Sequence, residues 1–317
     1  MTSPFSQPQV KGFVQHTLYV SCSTKPFPKR KSRGRGSPSG CGKKAPDDRR
    51  GSNGASMLAE MAFAPLDHYD PRTGGHDGIR ETIEPREAVA LELARPLVSQ
   101  NDGTLLDIGC GDGLFLSACD AELSLSERGW KLSGIDYSET RIAHARRHPY
   151  EFARCNVEEG LPFADSSYDV IFCGELIEHL YNPDAFVEEC HRVIVPRGHL
   201  IITTPNLHAW YNRILFVVGV QPLFYETSTR STHIGAGVLR RLKRGSTPVG
   251  HVRVFNKRAL RDLLSSQGFQ PITERGAIFP VFPGPIRLID RIFNRVPSLA
   301  SILISLSARV EKPAPRR

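Results

Sequence analysis

From residue 85 onward, short apolar runs alternate with stretches whose apolar positions recur every three or four residues. The runs read as buried strands and the periodic stretches as helices packed on them. Ala88, Val89, Leu91 and Leu93 mark a first helix, opened by Pro85 with acids at Glu84 and Glu87. A strand over 104–108 follows, then a helix to about residue 127, a strand over 129–136 and a helix over 138–147. Residues 150–154 and 168–173 read as two more strands. The next helix has Asn182 as cap, Pro183 at its first position, acids early and His191 and Arg192 late, with Pro196-Arg197-Gly198 as its stop. A fifth strand covers 199–204. A helix over 256–267 turns Leu260, Leu263 and Leu264 inward and stops at Gly268, before a strand over 268–274. Residues 286–296 have the pattern of a short amphipathic helix, and the period of two over 302–308 marks a last strand.

The first strand runs into Leu105-Leu106-Asp107-Ile108-Gly109-Cys110-Gly111-Asp112-Gly113. Glycines at 109, 111 and 113 permit positive φ and let backbone approach a ligand closely. A dinucleotide fingerprint would need a small residue at position 114, which is Leu114, so a nicotinamide-dependent dehydrogenase is disfavoured. Asp136 ends the second strand. In a doubly wound sheet that end lies beside the first turn, where a carboxylate can accept both hydroxyls of a ribose. The competing role for Asp136 is to cap the helix at 138–147, a role Ser138 could fill instead.

The series DIGCGDG, GIDYS, NVEEGLPF, YDVIFCGELIEHL, VIVPRGHLIITTPN and HVRVF with LLSSQGF, over about residues 85–275, resembles the class I S-adenosylmethionine-dependent methyltransferases. Within them it is similar to the group that includes the ubiquinone-biosynthesis O-methyltransferases. The resemblance implies an α/β, Rossmann-like seven-stranded sheet, mostly parallel with the last strand antiparallel, helices on both faces and a lid insertion. It implies S-adenosylmethionine as cofactor, held by Asp107, Gly109, Gly111, Gly113, Asp136, Tyr137, Asn156 and Val157. Two departures stand out. Asn156 occupies a position where many relatives have Asp, and its side-chain oxygen can still accept from an adenine amino group. Arg197-Gly198 replaces the usual Gly-Gly, a change expected to affect only a turn.

Glu175, Glu178 and His179 follow the fourth strand, and their spacing would place them on one face if a helical turn forms there. Together with His251 they are the catalytic candidates, since a hydroxyl acceptor needs its proton removed or its oxygen polarised. Ubiquinone O-methyltransferases and plant small-RNA 2′-O-methyltransferases resemble this stretch, and relatives there use such residues to hold a divalent cation. Carboxylate oxygens with imidazole suit Mg²⁺ or Mn²⁺. The resemblance equally allows a metal-free site in which His179 is a general base or a structural hydrogen bonder.

Charge changes the picture at two places. Residues 1–56 carry eleven Lys/Arg against Asp47 and Asp48, so the net charge of +8 belongs to this tail. The tail is rich in Pro, Gly and Ser and lacks apolar periodicity, so it reads as disordered, with the methyltransferase domain over 57–317. An upstream extension ahead of Met57 or Met61, a transit peptide, and a nucleic-acid-binding arm, disfavoured because no aromatic residues interleave the basic run Lys29–Arg35, are the other readings. Residues 206–254 read as the insertion over the ligand edge of the sheet. An apolar part ends at Phe224-Tyr225, and 227–261 carries nine Lys/Arg without an acid. That composition suits an amphipathic, lipid-like or anionic small-molecule acceptor, or an anionic membrane surface met peripherally. Methylation of an RNA 3′ end, with nucleic acid as partner, and a non-catalytic S-adenosylmethionine-binding regulator are the alternatives. The seven cysteines form no C-x-x-C pair, which suits reduced thiols and a cytoplasmic setting. No apolar run has the length of a transmembrane helix, and the sequence is silent on oligomeric state.

Overall fold

The computed structural model describes residues 82–241, 248–280 and 282–311. The basic tail at 1–56 therefore lies outside the described residues, as do Lys243 and Arg244. Among the described residues seven α-helices and seven strands follow one another, beginning with α1 (Pro85–Ala94), β1 (Thr104–Ile108), α2 (Leu114–Leu123), β2 (Lys131–Asp136), α3 (Glu139–Ala145), β3 (Glu151–Arg154) and β4 (Tyr168–Gly174). Then come α4 (Pro183–Val193), β5 (Ile194–Pro205), α5 (Trp210–Val217), α6 (Lys257–Ser266), β6 (Phe269–Ala277), α7 (Gly284–Phe293) and β7 (Ile302–Arg309). The strand order is β3-β2-β1-β4-β5-β7-β6. The first five strands pair in parallel, and β7 runs antiparallel between β5 and β6.

Strand periodicity splits the core into two layers. Leu106 and Ile108 of β1 and Leu200 and Ile202 of β5 face Phe186, Val187 and Cys190 of α4 and Leu260 and Leu264 of α6. Leu105 and Ile201, one residue out of phase, face Ala90 and Leu91 of α1 and Phe115 and Leu116 of α2. Both faces of the sheet are thus covered, the condition for a parallel sheet of continuous apolar strands. The five described cysteines are buried and unbridged. No helix among the described residues is long and apolar enough to cross a membrane.

Several boundaries differ from expectation by a few residues, and three of them matter for the fold. α2 stops at Leu123 because Ser124 takes a left-handed φ of 48° and closes the helix, four residues short of the expected end. β5 starts at Ile194, ahead of the helix stop expected at Pro196-Arg197-Gly198 and of the strand expected at 199, and its register against β4 jumps from Ile194 to His199. Inside that irregularity Arg197 adopts a φ of 67°, in the left-handed region that favours glycine. α7 starts two residues earlier than its pattern suggested, behind Gly284-Pro285.

Order reversal in the sheet falls between β1 and β4, whose carboxyl ends diverge into different crossovers. That is the ligand edge of an open α/β sheet. The glycine turn leaves β1 there, and residues 175–179 leave β4 beside it.

Candidate active site

The first half of the site is the turn after β1. Gly109, Gly111 and Gly113 take φ of 78°, 56° and 79°, all in the left-handed region. Gly113 is also crowded, since a Cβ there would lie 2.8 Å from the Phe152 ring. The turn is tied to β2: Gly109 and Cys110 donate their N–H groups to Ile135 O at 2.8 and 3.0 Å. Gly111 N–H donates to Asp136 Oδ2 at 2.9 Å, and Ser138 N–H donates to Asp136 Oδ1 at 2.8 Å. Asp136 is buried, and burial raises its pKa against the pull of these two donors. The cap of α3 is Ser138, whose hydroxyl accepts Arg141 N–H. Each Asp136 oxygen retains acceptor capacity for a ligand hydroxyl.

Around this turn stand the other residues expected to meet the cofactor. Asp107 is buried within β1, at 2% exposure. Arg154 lies over the Tyr137 ring, 5.2 Å from its centroid, and donates to Tyr137 O at 3.0 Å. Asn156 caps the short 3₁₀ turn Val157–Glu159: its oxygen accepts Glu158 N–H at 3.2 Å and its amide donates to Glu159 Oε1 at 2.9 Å. The oxygen expected to accept from an adenine amino group already holds one backbone donor and has room for a second.

The second half lies just beyond β4. Residues Ile177–His179 form a single 3₁₀ turn, too short to carry Glu175 onto the same face. Glu175 instead takes a φ of 51° and turns to β5, where its N–H donates to Thr203 O at 3.1 Å and its Oε1 accepts Thr203 Oγ1 at 3.2 Å. Burial raises its pKa, opposed by the Arg86 guanidinium of α1 and by Thr203. Glu178 goes the other way. It is 2% exposed, its Oε2 accepts Thr204 Oγ1 at 3.0 Å, and its Oε1 has no hydrogen-bond partner among the described residues. Burial first, and Glu175 second, push the Glu178 carboxyl well above the usual carboxylate range.

The insertion delivers the third member. Its ends are pinned together, Leu207 N–H donating to Phe255 O at 2.8 Å across an Asn206–Phe255 bridge. Val252 and Arg253 then donate their N–H groups to Glu178 O at 2.9 Å each, which brings His251 against His179 with ring centroids 4.9 Å apart. His179 Nδ1 lies 3.1 Å from Gly250 O and His251 Nδ1 lies 3.1 Å from Phe224 O. A carbonyl only accepts, so each neutral ring donates through Nδ1 and carries its lone pair on Nε2. One donor atom each from Glu178, His179 and His251 lie within 4.8 Å of one another. Burial lowers the His251 pKa, with Glu226 opposing.

Glu226 was not singled out by the sequence. Its carboxylate accepts the N–H groups of Val249, Gly250 and His251 at 2.7, 2.8 and 3.1 Å, so it closes the loop that carries His251. Its signal was only that it is the last acid before the acid-free segment. The basic segment itself is partly neutralised in three dimensions: Lys257 and Arg261 both pair with Glu274, and Arg253 donates to Tyr181 O at 2.8 Å. Arg230 and Arg240 remain exposed.

Residues 81–274 match the family model described as a methyltransferase domain. A probable S-adenosylmethionine-dependent methyltransferase of Mycobacterium tuberculosis (strain H37Rv) is 32% identical over 187 residues, 58% of this chain and 62% of the relative. A ubiquinone biosynthesis O-methyltransferase of Pseudomonas paraeruginosa is 29% identical over 136 residues, 41% of this chain and 55% of the relative. The chain thus matches less than two thirds of the length of either relative. Among solved structures, an S-adenosylmethionine-dependent methyltransferase from Mesorhizobium loti superposes with a TM-score of 0.47 at 18% identity, covering 71% of this chain and 98% of that one.

Proposed function

The chain belongs to the methyltransferase-domain family, and on that premise we propose that it methylates a hydroxyl oxygen of a small amphipathic acceptor, with S-adenosylmethionine as donor. The observation that carries the reading is the junction of the two sheet turns, Gly111 N–H on Asp136 Oδ2 at 2.9 Å. It brings a positive-φ glycine turn and a buried acid to one edge of the sheet, which suits a ligand with a ribose and a charged amino-acid end. S-adenosylmethionine supplies a sulfonium methyl carbon open to in-line attack. Holding the acceptor oxygen in line with that carbon can supply up to ~7–11 kcal/mol of the barrier reduction.

The residues of the second half suit the remaining task. His179 Nε2, with Nδ1 held by Gly250 O, is a fixed base for a hydroxyl proton. Glu175 and Glu178 differ in setting, the first facing Arg86 and Thr203 and the second Thr204 and the histidines.

A narrower reading adds a divalent cation held by Glu178, His179 and His251. It is favoured by a carboxylate oxygen without a hydrogen-bond partner beside two imidazoles whose Nδ1 atoms are anchored on carbonyls, the support that ligating histidines receive elsewhere. Such a cation would polarise an acceptor oxygen. Titration calorimetry with Mg²⁺ and Mn²⁺ should show binding to the full chain that Glu178→Gln abolishes; equal heats for both proteins sink this reading.

Acceptor choice falls to the insertion at 206–254, whose apolar part would hold a ring or chain and whose exposed arginines would attract a negative group. The name of the ubiquinone O-methyltransferase relative is compatible with a hydroxyl acceptor. The deciding experiment is binding of S-adenosylmethionine against NADH by calorimetry, followed by labelled-methyl transfer to quinol, glycolipid and RNA fractions. Binding of NADH alone would overturn the methyltransferase reading, and transfer only to RNA would overturn the small-molecule one. Reversing Arg240, Arg241, Lys243 and Arg244 should then raise KM for the acceptor and leave cofactor affinity unchanged.

A further inference from the structure

α7 is built inside out. Its one buried residue is Asp290, fully enclosed, while Leu288, Ile289 and Ile292 are 62%, 41% and 58% exposed, with Val296 just beyond the helix also exposed. Asp290 is the anchor. Its Oδ1 accepts Trp210 Nε1–H at 2.9 Å and Ser301 Oγ–H at 2.7 Å, and its Oδ2 accepts Phe279 N–H at 2.8 Å. Phe293 stacks on Trp210 of α5 at 5.4 Å between ring centroids. The helix is therefore fixed by one face and presents the rest of its surface outward.

That outward surface is ordered. Leu288, Ile292 and Val296 recur every four residues, with Ile289 beside them, and form one apolar stripe. Arg287, Arg291 and Arg295, also four apart, form the neighbouring stripe, all exposed. Arg287 is turned back to Phe282 O, which leaves Arg291 and Arg295 as the outward charges. No exposed acid interrupts the two stripes, because the only acid of α7 is buried.

We infer that α7 is a membrane-docking helix, with the Leu288–Ile292–Val296 stripe in the acyl boundary of an anionic bilayer and Arg291 and Arg295 at its headgroups. An apolar face bordered by arginines is the pattern of a helix lying in the membrane interface. Charge disfavours the other occupants of the same face. A second copy docked two-fold would bring arginine stripes together, and the 1–56 segment of the chain is itself strongly basic. A negatively charged lipid surface complements both.

A row of rings runs from this helix to the second half of the active site. Phe293 stacks on Trp210, Trp210 meets Tyr211 at 5.5 Å, Tyr211 meets Phe282 at 5.0 Å and Phe282 meets Phe279 at 5.2 Å. Phe279 meets Phe224 at 5.0 Å, and Phe224 meets His251 at 6.0 Å. The row ties the position of the helix to that of His251 by direct ring packing. Docking stands apart from the methyl-transfer reading.

The test is co-sedimentation of the full chain with phosphatidylcholine vesicles, with and without about a quarter phosphatidylglycerol. The chain should bind the anionic vesicles, weaken with salt and ignore the neutral ones. The double variant Leu288→Ser with Ile292→Ser, both exposed positions, should lower partitioning about tenfold or more, with unchanged melting temperature and cofactor affinity. Arg291→Glu with Arg295→Glu should do the same. If the serine variant binds as well as the parent, the basic tail or the arginines alone are responsible and the proposal fails. Loss with the glutamate variant only, matched by equal binding to RNA, assigns the arginines to phosphate contact and overturns it as well. Intact vesicle binding by a chain that binds no S-adenosylmethionine would sink the methyltransferase reading and leave the docking standing.

Discussion

Glu226 Oε2 accepts the backbone N–H of His251 at 3.1 Å, across 25 residues of the insertion. The same carboxylate takes Val249 and Gly250, and Gly250 O in turn receives His179 Nδ1. One half-buried acid thus sets the position of both histidines. Hydrogen bonds to a charged group are worth ~1.5–3 kcal/mol each, and three on one loop are enough to decide its conformation. Glu226→Ala should reduce methyl transfer at least about tenfold with S-adenosylmethionine affinity unchanged, and Glu226→Gln should recover part of the loss. Equal loss of cofactor affinity would mean that the loop supports the whole fold and not the acceptor half.

Asp136 is expected to bind the ribose while bracing the glycine turn. Asp136→Asn keeps an acceptor oxygen, and Asp136→Ala removes both. The alanine variant should weaken S-adenosylmethionine by no more than ~1.5–3 kcal/mol, and the asparagine variant by less. Calorimetry on both decides. Unchanged affinity in the alanine variant removes Asp136 from the cofactor site.

Gly113→Ala meets two penalties, a positive φ of 79° and a Cβ 2.8 Å from the Phe152 ring. The left-handed backbone alone costs roughly 1–2 kcal/mol. A fall in melting temperature of roughly 2–8 °C should follow, measurable by thermal scan. No change would show that Phe152 yields and that the turn tolerates a side chain.

Glu189 holds a forked pair with Arg192, at 2.8 Å to Nε and 2.7 Å to Nη2, and accepts Leu161 N–H at 2.9 Å. The Arg192 hydrogen bonds, ahead of all other causes, hold its carboxyl below the usual carboxylate range. A depressed folded-state pKa contributes stability above the unfolded value of about 4.3, and that contribution is lost as pH falls through the folded one. Glu189→Gln should therefore lower the melting temperature at pH 7 and narrow the gap to the parent near pH 3. A gap independent of pH would assign the effect to packing.

Residues 1–56 lack the apolar spacing needed to join a core. A chain starting at Met57 should melt at the parent temperature and bind cofactor equally. A large drop in either would show that the tail packs on the domain.

Much of the fold was legible because its signals are local. Pro183 after Asn182, three alternating glycines, and leucines at 260 and 264 each report on a few neighbouring residues, and the helices and strands formed where those signals stood. The resemblance added the number of strands and the antiparallel last strand, and the structure supplied their order. The glycine turn was readable for the same reason, since positive φ and the closeness of β2 demand glycine at defined steps. At Glu175 the tertiary structure added what spacing could not: the residue stays close enough for its charge to bear on Glu178, but the turn at Ile177–His179 does not include it and its carboxylate hydrogen-bonds Thr203.

The sequence by itself determined the alternation of elements, the glycine turn and the acid that ends β2, all settled by backbone sterics and burial within short windows. Only the tertiary structure decided that His251 meets His179, that Glu226 clamps the loop between them, that Glu274 neutralises Lys257 and Arg261, and that α7 buries its acid and exposes its apolar stripe. These pairings join residues far apart in the chain, where hydrogen-bond partners are chosen by what the folded sheet brings within 3 Å, and no local periodicity encodes that choice.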